Sequence, residues 1–396
     1  MDGGWTANSV FLRGQTMTFA AFRWIAAGLL ASALIGTAAT AADAGPAVES
    51  GRREAYRLAV IRVKTAYHIP GVVAGIWVPG KEPWTIATGF ADMETRRLIG
   101  LDDRLPIRSV TKSYTVTLLL QLAREKAISL DDPIGKYVAG IPYGDLITLA
   151  NLAGMESGVK SYSDTKEFLD GLMADPSRGW TPRQLVDLAL LYPPLFAPGA
   201  DYNYSNTNTT LLGMVVEQVT GQTLADLFQK RIFMPLGLKR TSYPNNMDIP
   251  DPHAEPYTVD PATGRVEDCP TVNLSAFGAG GGMVTTLGDL HRWGKALGTG
   301  ELIGPRLQKT RLLHSRPATS GPEYDRYGLG IGELKGWWGH TGEGLGYQAA
   351  TFYDPRTGVV ISVEINSSQP VNVATEVFKA LADVVHPPKA QSETAP

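Results

Sequence analysis

Cysteine is almost missing from this chain. Cys269 is the only one in 396 residues, so no intrachain disulfide can form. Asp268 and Pro270 flank it in what reads as a polar loop, with no feature that would depress a thiol pKa and make it a nucleophile. Histidine is sparse as well: the six are scattered and no His-Glu-x-x-His occurs, which argues against a zinc centre. Gly-x-Ser-x-Gly is absent, and with it the usual elbow of the α/β-hydrolases. No long run of one charge appears and the formal net charge is only −3, so the basic footprint that a phosphate backbone requires is lacking and nucleic acid is excluded as a partner. Two near-motifs also fall away. Gly75 to Lys81 has most of a P-loop spacing, but Glu82 stands where a magnesium-binding hydroxyl is needed. Gly278 to Gly282 lacks the strand-to-helix setting of a dinucleotide loop and reads as a flexible turn. No metal or cofactor is implied.

What is present is ordinary globular composition, 43% hydrophobic and 19% charged, in a chain long enough for a sizeable core. Residues 20–42 run from Arg23 through an apolar Ala/Leu/Ile stretch to the small residues Ala39, Thr40 and Ala41. This is the order of a secretory leader, with residues 1–41 removed and Met17 as an alternative start to Met1. The apolar core, interrupted by Gly28, Gly36 and Thr37, is short for a membrane anchor. The expectation is a periplasmic or secreted protein with no stable membrane anchor.

Apolar residues at helical spacing over 50–68 predict a first helix, stopped at Ile69-Pro70-Gly71. Two strand-like runs follow within 71–92, joined by a turn over Pro79 to Pro83. From about 110 to 240 the periodicity is helical. After about 325 strand-like runs return (YGLGIGEL, YQAATFYD, VVISVEIN) before a closing helix over roughly 372–385. Strands at both ends with helices between predict an α/β (α+β) fold: an antiparallel sheet built from both chain ends, with flanking helices and a mostly helical lobe beside it. The boundaries read as one catalytic domain over 50–385. Its sheet lobe covers about 50–108 and 285–385, its helical lobe about 109–284, and residues 386–396 form a disordered tail. The cleft between the lobes is the natural site.

Ser-x-x-Lys occurs three times, as Ser109/Lys112, Ser157/Lys160 and Ser163/Lys166. Only the first opens a helix, where the i, i+3 spacing puts hydroxyl and amine on one face and the N-terminal amides favour a developing oxyanion. An unactivated hydroxyl is a poor nucleophile at pH 7, and a neighbouring lysine, neutral in part or relaying a proton, supplies the activation. The other two pairs read as loop. Tyr204-Ser205-Asn206 lies where a turn feeds another helix: a phenol there can relay a proton, and the Asn206 amide can hold both a lysine and a substrate amide. His340-Thr341-Gly342, the only His-x-Gly, precedes a strand whose edge could bind an acyl substrate, with the N–H of Glu343 joining that of Ser109 as an oxyanion hole.

In this order and at these intervals the three elements resemble the serine penicillin-recognising superfamily: class C β-lactamases, D-alanyl-D-alanine carboxypeptidases, family VIII esterases and D-aminopeptidases. The resemblance covers about residues 50–385 and extends to LPIRSVTKSYT, GQTLADLFQKRIFMPLGLKRT and GGGMVTTLGDLHRW. It implies Ser109 as nucleophile, Lys112 and Tyr204 as the acid/base pair, and Asn206 as their amide partner, and leaves open which of Lys112 and Tyr204 is the base. His340, Thr341, Gly342 and Glu343 would line the substrate. The His-Thr-Gly form is that of the carboxypeptidase type rather than the usual Lys-Thr-Gly of class C β-lactamases. The arginine with which those carboxypeptidases hold a terminal carboxylate is missing, because Tyr327-Gly328-Leu329-Gly330 continues with Ile331 and Gly332. Glu343 adds a like charge near where that carboxylate would sit. The expectation is an acyl-enzyme serine hydrolase acting on small peptides, cleaving inside them or near an end. D-residue-containing, wall-derived or linearised cyclic peptides fit. The alternatives are a short-chain carboxylesterase, a carboxypeptidase or β-lactamase, or a slowly acylating sensor.

Overall fold

The computed structural model describes residues 46–387; the proposed leader and the tail beyond residue 387 lie outside the described residues. Helix α1 (Pro46–Ala66) carries Tyr56 and Val60 on its buried face and ends before a reversal at His68, whose φ of 52° no helix continues through. Next come β1 (Gly71–Trp77), β2 (Trp84–Asp92) and β3 (Arg97–Leu98), the first two being the expected hairpin. The rest of the main sheet comes from the other end of the chain: β4 (Arg316–Pro317), β5 (Arg326–Tyr327), β6 (Gly332–Leu334), β7 (Trp337–Gly344), β8 (Tyr347–Tyr353) and β9 (Val360–Ile365). The spatial order is β3-β2-β1-β9-β8-β7-β6-β5-β4, antiparallel throughout, and the two chain ends meet where Val72 pairs with Ile365 and Trp77 with Val360.

Alternation along these strands decides what each face buries. Val72, Ala74 and Ile76 of β1, Phe352 of β8 and Ile361 and Val363 of β9 pack with Tyr56 and Val60 of α1 and with Val377, Phe378 and Leu381 of the closing helix Val373–Val385. The opposite face receives the helix Leu287–Thr299. Its Gly294 lies so close to Thr351 that a Cβ there would come within 2.2 Å of the Thr351 hydroxyl. A second core fills the helical lobe around α2 (Thr111–Arg124), which is buried without interruption from Thr111 to Leu122, and α3 (Asn206–Thr220). A helix buried on all sides holds whatever it carries with little freedom.

One expectation of the fold needs correction. The run 327–334 is not one strand: Gly328 to Gly330 turn between β5 and β6, with the Gly328 N–H donating to Ile331 O at 2.8 Å. Gly330, at φ 64°, backs so tightly on Val116 that a Cβ would lie 2.6 Å from that side chain. The mostly helical lobe also carries a small sheet, formed by Tyr257–Val259 and Val266–Asp268 with Ser367–Ser368. Among the described residues no helix is long and apolar enough to cross a membrane.

Candidate active site

Ser109 sits in a single helical turn, Arg108–Val110, that runs straight into α2. One turn on, the Lys112 amine donates to the Ser109 hydroxyl at 2.9 Å and to the Gly280 carbonyl at 2.9 Å. Lys112 is fully buried, and burial pushes its pKa down to about 7, with Glu343 pulling slightly the other way. An amine is thus held neutral for much of the time near pH 7, within hydrogen-bond reach of a serine hydroxyl. Gly280 belongs to a short helical turn, Gly278–Gly281, so the segment expected to be a flexible turn is an ordered acceptor for the lysine.

Tyr204 comes from the loop that leads into α3. Its ring faces the Lys112 amine, 5.0 Å from the ring centre, and stands edge-on to Tyr327 at 5.8 Å. Burial raises the phenol well above its ordinary pKa; Ser109 is near enough to pull it back somewhat, although the hydroxyl completes no well-formed hydrogen bond. Asn206 opens α3 beside it. Its amide does not hold Lys112 as expected but donates to Ser163 Oγ at 2.7 Å. Ser163 in turn lies 3.2 Å from Asp164 Oδ1. The stretch read as loop with an idle Ser-x-x-Lys therefore supplies a buried wall of the cleft, with Ser161 accepting from the Asn206 N–H at 3.0 Å. Nothing in the spacing signalled this, since the contact joins residues 43 positions apart.

β7 closes the site from the other side. Its Gly342 lies against the nucleophile turn: a Cβ there would stand 2.0 Å from Ile107 O and 3.1 Å from Ser109 N. The Thr341 N–H points off the sheet edge, to Tyr324 OH at 2.8 Å, and N–H groups alternate along a strand, so that of Glu343 points to the same edge, toward Ser109. Two residues expected to line the substrate do not. His340 is fully buried, with Nε2 2.9 Å from Tyr327 OH and Nδ1 3.2 Å from Tyr324 OH, and burial holds its pKa down at about 3: it is a neutral structural residue. The Thr341 hydroxyl is taken by Tyr324 OH at 2.7 Å. Glu343 is exposed but stands in a concave wall of protein, whose crowding raises its carboxyl; Asn372, which donates to Gly342 O at 3.1 Å, and the Lys112 ammonium draw it back.

Arg108, which drew no notice in the sequence, ties the two halves together. It adopts a φ of 48°, a strained setting for a side chain of its size, and is buried. Its guanidinium donates to Leu345 O in the β7–β8 turn and lies between the rings of Phe277 and Tyr347, at 4.8 and 5.4 Å. Its other two nitrogens have no protein partner. Cys269 is buried nearby rather than placed in a polar loop, and burial pushes its thiol up to about 12. Replacing Arg108 by methionine loses a charge-assisted hydrogen bond worth about 1.5–3 kcal/mol but also removes a buried, half-satisfied cation of similar cost. The expected result is a thermal midpoint changed by only a few degrees and a kcat at least about tenfold lower.

No three His, Cys, Asp or Glu side chains converge as a metal site among the described residues. The fold, a serine paired with a buried lysine and the facing strand edge define a protein of the β-lactamase class, and the Beta-lactamase family profile matches residues 48–386: the chain belongs to that family. It is similar to the D-aminopeptidase of Brucella anthropi, 32% identical over 228 residues, which are 57% of this chain and 42% of that protein. It is also similar to the D-aminopeptidase of Cereibacter sphaeroides, 32% identical over 171 residues, or 43% of this chain and 32% of that one. The chain thus spans under half the length of these curated relatives. Among solved structures, a D-stereospecific amidohydrolase from Streptomyces sp. superposes with a TM-score of 0.71 at 32% identity, covering 84% of this chain and 97% of its own. The D-amino acid amidase of Ochrobactrum anthropi SV3, crystallised with D-phenylalanine, superposes at 0.76 over 85% and 99% at 24% identity, a likeness of fold.

Proposed function

We propose that the chain is a serine hydrolase that forms an acyl-enzyme on Ser109 and acts as an amidase or peptidase on small substrates whose acyl part is a D-amino acid. The observation that carries this is the 2.9 Å contact between Ser109 Oγ and a buried lysine held near pKa 7. Neutral Lys112 takes the Ser109 proton as Oγ attacks the substrate carbonyl. The N–H groups of Ser109 and Glu343 receive the oxyanion, and Tyr204, a neutral phenol, passes a proton to the departing amine. Water then releases the acyl group.

The D-residue assignment leans on the relatives named above, and the choice of an acyl part with a free α-amino group leans on the cleft's charge. Asp164, linked through Ser163 to the Asn206 amide, is a carboxylate beside the site that can pair with the α-ammonium of an N-terminal residue. Glu343 opposes a free carboxylate beside the scissile bond. Placement in the periplasm or outside the cell belongs to the same proposal and rests on the leader-like segment at 20–42.

The test is initial rates on D-alaninamide, on D-alanyl peptides with a free or a blocked carboxylate next to the scissile bond, and on a short-chain nitrophenyl ester, with Ser109→Ala beside the wild type. Cleavage of D- over L-substrates, with blocked ends preferred and all activity lost in the variant, is expected. Rapid cleavage of free-acid dipeptides would restore a carboxypeptidase, ester turnover alone would make the protein a carboxylesterase, and a single acylation without turnover would make it a sensor.

A further inference from the structure

We infer that Tyr324 closes the leaving-group side of the cleft and restricts the enzyme to small leaving groups, so that simple amides are cleaved in preference to peptide bonds followed by further residues. The inference rests on the function proposed above and narrows it.

The leaving amine takes its proton from Tyr204, so it departs on the Tyr204 side of Ser109. That side is walled by the segment 320–324. The Tyr204 N–H donates to Ser320 Oγ at 3.2 Å, and Gly321 packs so tightly on Tyr204 that a Cβ would stand 2.5 Å from the Tyr204 Cβ. The wall ends in Tyr324, itself almost wholly buried. Its hydroxyl accepts from the Thr341 N–H at 2.8 Å and pairs with the Thr341 hydroxyl at 2.7 Å.

An extended substrate reads a strand edge through alternate backbone groups. On β7 those groups belong to Thr341 and Glu343, and only that of Glu343 is left for substrate. The carbonyl of the scissile bond can therefore be held while the chain beyond it finds its next backbone donor already taken. The room for Tyr324 comes from Gly332, where a Cβ would lie 2.4 Å from the Tyr324 ring. Gly332, with Ile331, follows Tyr327-Gly328-Leu329-Gly330, the stretch after which the sequence resemblance led one to look for a carboxylate-binding arginine. The Tyr324 ring packs on Gly332, and its hydroxyl takes up both the N–H and the hydroxyl of Thr341.

The experiment compares kcat/KM for D-alanyl-glycinamide with that for D-alaninamide in wild type, Tyr324→Phe and Tyr324→Ala. The wild-type ratio should favour D-alaninamide. Tyr324→Phe keeps the ring and frees the Thr341 N–H and hydroxyl, and should raise the relative use of D-alanyl-glycinamide about threefold, mainly through KM; Tyr324→Ala should raise it about tenfold. Turnover of both substrates with the ratio unmoved in both variants would overturn the role of Tyr324 and leave the proposed function standing. Failure of the wild type to turn over either substrate would remove that function and this inference with it. The within-enzyme ratio is unaffected by a variant that merely folds less well, since both rates scale with the folded fraction.

Discussion

Lys112→Met is expected to lower acylation of Ser109 by about three orders of magnitude, the scale of a general base acting on a hydroxyl nucleophile. The wild type should show the corresponding pH profile. Because burial holds Lys112 near 7, the ammonium dominates below that pH and cannot accept the serine proton, so kcat/KM should climb with pH through about 7 and level off above it. The same group gives a stability signature of defined sign. In the unfolded chain a lysine stays protonated to about pH 10.4, while in the native state Lys112 is neutral above about 7. Between those values the unfolded state binds the extra proton and stability rises with pH; below about 7 both states are protonated and the cost of the buried charge is fully present. Removing the amine relieves that cost, so the melting difference between Lys112→Met and wild type should be more favourable to the variant at pH 6 than at pH 10. A rate profile flat from pH 6 to 9, with the variant active, would assign the base elsewhere.

The second large effect is Gly342→Ala. A Cβ 2.0 Å from Ile107 O and 3.1 Å from Ser109 N meets only backbone, so no rotamer relieves the clash and the strand must move away from the nucleophile turn. That movement widens the gap between the N–H groups of Ser109 and Glu343. Loss of one oxyanion donor costs about a hundredfold or more in kcat, and misplacement of an ångström is comparable. Gly288→Ala is the matched control, because no atom lies within 4 Å of a Cβ built there and the residue is helical, so its activity should be that of the wild type. Steady-state kinetics of the two variants, with melting curves beside them, decide the point. Equal kcat in both would show that the contact between Gly342 and the nucleophile turn does not govern the site.

Much of the frame was legible because it rests on local periodicity. The hairpin of β1 and β2, the helical middle and the returning strands all announce themselves through spacing and breakers, and strands at both ends of a chain have few ways to be satisfied except by pairing. The contact between Ser109 and Lys112 was legible for the same reason, since three residues at a helix start fix their mutual position. What failed were inferences about where side chains point after the chain has folded back on itself. Asn206 faces Ser163 instead of Lys112, and the sequence around Ser163 gives no sign that a polar loop folds into a buried wall. His340 looked like a substrate contact because it stands in the third motif. Its ring turns inward to Tyr324 and Tyr327, which lie 16 and 13 positions earlier on neighbouring segments. Arg108 was missed because its meaning lies in a backbone angle and in two aromatic rings from distant parts of the chain, neither of which leaves a pattern in sequence.

These misses share a direction. Tyr324 and Tyr327 pack His340 and the Thr341 hydroxyl into a wall, and Glu343 places a carboxyl next to it. Under the proposed function, the cleft would favour acyl groups that carry a cation and leaving groups that carry no anion.

The most direct test is the intact mass of the enzyme, quenched in acid during turnover of a D-alanine nitrophenyl ester, followed by mapping of the labelled peptide. The account predicts one added D-alanyl group on the peptide containing Ser109, absent from Ser109→Ala and accumulating when Lys112 and Tyr204 are intact. Turnover that persists in Ser109→Ala, or a label on any other residue, would contradict it.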